Sequence, residues 1–87
     1  MKLNVYVIFD HVSNSAHMQP LYAKEDELIL RTVKSANLGE LVEGNLQDFA
    51  LYKIGLYDDE ELTLKQLEKP YLLCNLSALK KEDKEND

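Results

Sequence analysis

The sequence predicts an α+β fold, with a small, mainly antiparallel sheet of about four strands and one principal helix packed on it. Two apolar segments, 3–10 and 48–57, are rich in the β-branched and aromatic residues typical of strands. A third segment, 25–37, repeats its apolar residues at helical spacing. The 87 residues make one domain, and a chain of this size buries only about 60–65% of its unfolded surface. Because so thin a core favours association, we expect a homodimer.

The first element is a strand over residues 3–10. Both of its faces are largely apolar, which predicts a central position in the sheet. Residues 11–20 have the Ser, Asn and Pro content of a loop, and 21–24 are predicted to form a short second strand. These segments predict an antiparallel hairpin with a long tip.

The helix is predicted over residues 25–37. Its three leading acids suit the positive end of a helix dipole, and Ile29 and Val33 lie on one helical face. Gly39 is suited to the C-terminal cap. Residues 40–48 are weakly patterned and predict at most one helical turn.

The longest predicted strand covers residues 48–57, and its even-numbered apolar side chains are expected to meet the core: Ala50, Tyr52, Ile54 and Leu56. Gly55 indicates a bulge or the close approach of a backbone or ring. The acids at 58–61 form a turn, residues 62–67 extend or cap it, and 71–76 are predicted to be the last strand. We place the domain at 1–77 and expect a charged, disordered tail over 78–87.

Charge, hydrophobic content and cysteine count restrict the classes of function that the chain can have. The net charge is −6 with 45% hydrophobic residues, so we expect a soluble protein that repels nucleic acid at long range. Any DNA-binding surface must therefore be a local patch. We expect neither membrane insertion nor export, because no apolar run is long enough to span a bilayer and residues 3–9 are too short and strand-like for a signal peptide. The single cysteine, Cys74, favours a reducing cytoplasm.

A local patch for single-stranded DNA would combine aromatic rings for the bases with cations for the phosphates. The candidate nucleic-acid-binding residues are Arg31, Lys34, Tyr52, Lys53 and Tyr57. In regular strand alternation Lys53 and Tyr57 share a face and flank Gly55, where a base could lie flat. The alternatives are that the tyrosines supply core mass and that Arg31 pairs with Glu27, four residues before it.

Catalytic residues, metal ligands and cofactors are not predicted. The acids at 58–61 lack the spacing of a hard-cation loop. His11 and His17 have no cysteine near them at a usual ligand spacing, and no motif joins Cys74 to either histidine. The hypothesis that the protein is an enzyme is therefore the least favoured.

Three segments together resemble a known family. They are 5-VYVIFD-10, 20-PLYAKEDELILR-31 and 48-DFALYKIGLYDDE-60. Their order and spacing are similar to those of the small nonstructural protein of gokushovirus-type microviruses, which are bacteriophages with circular single-stranded DNA. The resemblance spans most of residues 4–76.

This resemblance implies an accessory protein in the host bacterial cytoplasm, absent from the mature virion. It implies a role in single-stranded DNA synthesis or genome packaging, with DNA contacted through the aromatic and basic patch. The alternative is an acidic protein-interaction module that binds a replication, capsid or host protein without touching DNA. The charge of −6 favours this alternative.

Overall fold

A four-stranded antiparallel sheet dominates the computed structural model, which describes residues 1–80. The strands are β1 (Lys2–Asp10), β2 (Ser15–Ala23), β3 (Phe49–Asp58) and β4 (Thr63–Asn75), in the spatial order β2-β1-β3-β4. The helices are α1 (Asp26–Ser35), α2 (Glu40–Glu43) and α3 (Leu76–Lys80), with a 3-10 turn at Leu46–Asp48. The predicted sheet and the central position of β1 are confirmed. The prediction of one principal helix holds only in part, because two shorter helices accompany α1.

The core lies between the helices and one face of the sheet. Its buried side chains are Tyr6, Ile8, Phe49 and Leu51 from the strands and Ile29, Val33, Val42 and Leu76 from the helices. Burying an aliphatic or aromatic side chain of this size stabilises a fold by about 1.5–3 kcal/mol. We call this side of the sheet the helix face, and the opposite side the open face.

The predicted orientation of β3 is wrong for its first half. Phe49 and Leu51, rather than the even-numbered residues, enter the core, and Leu51 lies opposite Ile8 of β1. Both alternating sets of β3 are apolar, so hydrophobicity alone does not determine which set points inward. Pairing with β1 and contact with the helices decide it.

A β-bulge at Ile54 interrupts β3. Lys53 pairs with Tyr6, whereas Gly55 pairs with Val5, so β3 has one residue more than β1 at this point. An extra residue reverses the side on which all later side chains emerge. Tyr57, opposite Leu3, therefore emerges on the open face.

Two strands are longer than predicted. β2 begins at Ser15 rather than at residue 21, because the chain reverses direction within residues 11–14. In this turn Asn14 has φ 61°, and the Asp10 carboxylate accepts a hydrogen bond from the Val12 amide. β4 begins at Thr63 rather than at residue 71. Each includes its proline, Pro20 or Pro70, where the pairing with the neighbouring strand is irregular, and both are edge strands that tolerate the missing N–H.

The predicted tail includes part of the folded domain. Residues 78–80 complete α3, and Lys80 is buried. Its ammonium donates hydrogen bonds to carbonyl oxygens at the end of α1, which accounts for its burial. The expected disorder is therefore wrong for 78–80, and the rest of the predicted tail lies outside the described residues.

Candidate interaction surface

The open face carries apolar and aromatic side chains from all four strands. Register with β1 assigns to it Leu3, Val5, Val7, Phe9, Ala16, Tyr22, Ala50, Tyr52, Gly55, Tyr57, Leu64, Gln66, Leu72 and Asn75. None of these register positions carries a charged side chain. No described helix contributes to this face, and Tyr22, Leu64 and Leu72 are exposed on it.

Two aromatic groups stand on the open face. The rings of Phe9 and Tyr52 meet edge to face, with centroids 5.9 Å apart, and His11 packs against Phe9 at 5.1 Å. The rings of Tyr22 and Tyr57 form a second edge-to-face pair at 6.1 Å. Such pairs stabilise by about 0.5–1.5 kcal/mol beyond their burial. They hold the rings in fixed orientations while leaving part of each ring accessible.

Two depressions lie on this surface. One, of about 430 Å³, is lined by Val5, Tyr22, Ile54 and Gly55 together with β4 residues. The other, of about 350 Å³, is lined by Val7, Phe9, Tyr52, Ile54 and Pro70. Ile54 and Pro70 border both depressions. The open face is therefore a contoured apolar surface rather than a flat one.

Lys53 points away from this surface. Its ammonium lies 3.0 Å from the Asp26 carboxylate, which also accepts a 2.7 Å hydrogen bond from the Tyr6 hydroxyl. Burial alone would raise the pKa of Asp26, but the hydrogen bonds from Tyr6 and Lys53 outweigh it and hold that pKa below its ordinary value. The Asp26 carboxylate thus neutralises the charge of Lys53 on the helix face.

The predicted base site at Gly55 is not formed. Lys53 and Tyr57 emerge on opposite faces because of the bulge at Ile54. The space beside Gly55 is filled by β4, since a Cβ there would lie 2.6 Å from the carbonyl oxygen of Lys65. Gly55 therefore serves the close approach of a backbone, as one of the two sequence interpretations expected.

Arg31 and Lys34 lie on α1, on the far side of the sheet from the open face. Ile29 and Val33 anchor this helix in the core, and Arg31 is exposed. Within residues 1–80 no ion pair joins Arg31 to Glu27. The five predicted DNA-binding residues therefore occupy three places: Arg31 and Lys34 lie on α1, Lys53 lies on the helix face of the sheet, and Tyr52 and Tyr57 share the open face.

The other polar candidates are separated in the fold. His11 lies beside Phe9 and Tyr52, whereas His17 packs edge to face on Phe49, with centroids 5.6 Å apart. Burial raises the pKa of the Cys74 thiol, which lies opposite Leu51 on the helix face. Among residues 1–80 no group of three His, Cys, Asp or Glu side chains could hold a metal ion. None of the helices described there is long and apolar enough to cross a membrane.

Sequence reasoning missed Phe9, His11 and Leu72 as members of the surface. A signal was present in β1, whose two faces are both apolar although the described helices cover only one. The bulge at Ile54 had no comparably clear signal, because Gly55 was equally consistent with a close backbone approach. Position in the fold, rather than residue type, identifies the surface.

A family comparison agrees with a phage origin. The profile of the family described as Phage ORF5 protein matches residues 3–79, which includes β1 except for Lys2, the other three strands whole and nearly all of α3. Neither a curated protein nor a solved structure matches the chain. Since the match covers nearly the whole sequence, the chain belongs to the phage ORF5 protein family.

Proposed function

We propose that this phage protein is a non-catalytic accessory protein that acts by protein–protein contact through its open face. The observation that carries the proposal is the absence of any charged side chain from the register positions of that face, in a chain of net charge −6. Apolar patches with a polar surround are typical of protein interaction sites. This is the alternative function that the sequence charge favoured.

The positions of the basic side chains support a protein rather than DNA as the ligand. DNA affinity depends largely on cations that meet phosphates. Lys53 is paired with Asp26, and Arg31 and Lys34 lie across the sheet from the aromatic groups. A strand of DNA laid on the open face would meet rings without cations beside them.

The place of the protein in the viral cycle is part of the same proposal. The resemblance to gokushovirus-type microviruses supports a nonstructural role in genome synthesis or packaging, inside the host cytoplasm and outside the mature virion. In that role the protein would act together with replication, capsid or host proteins, whichever molecule covers the open face itself.

The test is a matched pair of phage mutants. Leu72→Glu adds a charge on the open face and Leu28→Glu adds one on α1, at side chains that are 46% and 41% exposed. We expect Leu72→Glu to reduce the yield of infectious phage and Leu28→Glu to leave it close to wild type, with both purified proteins folded by circular dichroism. Equal yields from the two mutants would refute the proposal.

Binding of single-stranded DNA on the same face is a second candidate. It is favoured by one observation, that Tyr52 and Tyr57 of the predicted patch share the open face with Phe9 and Tyr22. Stacking of a base on an aromatic ring contributes about 1–3 kcal/mol and does not require a cation. DNA held in this way would bind with little dependence on salt.

Fluorescence anisotropy of a labelled single-stranded oligonucleotide, with a matched duplex alongside, separates the two candidates. DNA stacking on the open face predicts that Tyr52→Ala weakens binding by about tenfold or more. Tyr71→Ala is the matched control, because Tyr71 is an exposed tyrosine of β4 that pairs with Lys53 on the helix face. A flat titration at low salt would exclude the DNA candidate and leave protein contact.

A further inference from the structure

The sheet has two apolar faces, and the described helices cover only one of them. In β1, Tyr6 and Ile8 enter the core, while Val5, Val7 and Phe9 occupy the open face between β2 and β3. A sheet with an apolar face normally buries that face against a second layer. Val5 and Ala50 are already buried within the monomer, whereas Tyr22, Leu64 and Leu72 stay exposed on this face. The exposed apolar part of the open face therefore lacks a covering layer.

Residues 81–87 read KEDKEND and contain no apolar side chain with which to form such a layer. A second copy of the chain does carry a matching apolar surface, because its own open face has the same composition.

We propose that the covering layer is a second copy of this chain, packed open face to open face in a symmetric dimer. This inference rests on the proposed function and names the partner of that surface. Two sheets stacked in this way form a sandwich about 10 Å apart. A dimer of this kind would leave the helices and the edges of the sheet available for other proteins.

The area of the face is sufficient for such a dimer. Four strands spaced about 4.8 Å apart and about nine residues long cover roughly 600 Å². Two copies would bury roughly 1,200 Å², at the lower bound of stable specific interfaces. Side-chain relief increases this value, because the contacting surface is not flat.

Shape and charge also favour self-association. The exposed side chains of Leu72 and Tyr22 project from the same surface that contains the two depressions beside Ile54. A twofold axis makes every contact reciprocal, so a projection of one copy that fits a depression of the other does so twice. Two chains of charge −6 repel each other least where the meeting positions carry no charge, as at the register positions of the open face.

Sedimentation equilibrium over a wide range of protein concentration tests the dimer. We expect the wild-type mass to reach twice 10.0 kDa at micromolar concentration. Leu72→Glu should raise the dimer Kd by about a hundredfold or more, since symmetry buries two introduced carboxylates. Leu28→Glu, on α1, should dimerise as the wild type does.

Three results would overturn the dimer. One is a wild-type chain that stays monomeric at every concentration, a result that needs no variant to fold. Another is equal dissociation by Leu28→Glu and Leu72→Glu. The third is a folded Leu72→Glu that dimerises normally. If the wild type is monomeric but Leu72→Glu still lowers phage yield, the dimer is refuted and protein contact through the open face survives. If phage yield is also unaffected, the proposed function fails as well.

Discussion

Lys80 is the residue whose replacement should change stability most clearly. Its Nζ donates hydrogen bonds to the carbonyl oxygens of Val33, Lys34 and Ala36 at 2.9, 3.0 and 2.8 Å. The same ammonium lies 3.2 Å from the Glu43 carboxylate. These carbonyls end α1, so Lys80 satisfies acceptors that have no partner within the helix. The informative perturbation is Lys80→Met, which keeps the aliphatic chain and removes the ammonium.

The expected cost follows from these contacts. A hydrogen bond to a charged group contributes about 1.5–3 kcal/mol net of the water it replaces. The three bonds come from one ammonium and share one desolvation cost, so their contributions do not add in full. We therefore expect Lys80→Met to lower the free energy of unfolding by about 2–4 kcal/mol.

Urea unfolding followed by far-UV circular dichroism, at one fixed protein concentration, measures this change. The control is Lys65→Met, at an exposed lysine of β4, which should stay within about 0.5 kcal/mol of wild type. A chain ending at residue 77, the domain boundary predicted from sequence, should be destabilised at least as much as Lys80→Met. If Lys80→Met loses no more stability than Lys65→Met, the capping argument is wrong.

Two further predictions concern the sheet. Gly55→Ala should destabilise the fold by about 1–3 kcal/mol, because the new Cβ would lie 2.6 Å from the Lys65 carbonyl oxygen; an unchanged unfolding midpoint would contradict this close approach. Burial, and then the hydrogen bond to Asp26, raise the pKa of Tyr6 from 10.0 to about 12. The fold thus favours the neutral phenol, so its contribution is complete below pH 10 and is lost as pH rises from 10 to 12, by roughly 2–3 kcal/mol. Unfolding free energies measured across this range should fall in wild type and fall less in Tyr6→Phe.

Much of the fold could be predicted from local pattern. β1 and α1 lie within one or two residues of their predicted bounds, because a two-faced apolar strand and a helical repeat led by acids are strong local signals. The extents of β2 and β4 could not be predicted in this way. The parts of β2 and β4 around Pro20 and Pro70 lie at the edges of the sheet. Their extended conformation depends on pairing with β1 and β3 rather than on the strand propensity of their own residues.

The candidate site was harder to predict, because it depends on which face of the sheet each side chain of β3 points to. In an uninterrupted strand, Lys53 and Tyr57 would share a face. The single extra residue at Ile54 separates them, and it also brings Tyr52 and Tyr57 onto the same side. Residue composition does not reveal that the side chains of β3 change face after Ile54, because this change arises from pairing with β1.

The pairing of β3 with β1 determines which side chains the open face offers. It places Lys53 opposite Tyr6 on the helix face, before the bulge, where the ammonium forms an ion pair with Asp26. It leaves rings and aliphatic side chains on the open face, where a binding surface for an anionic polymer would need cations. In a chain with acids in excess, the register positions of the open face are thus uncharged, so another acidic chain would meet less repulsion there. The apolar character of the open face is therefore a consequence of how β3 pairs with β1, rather than of composition alone.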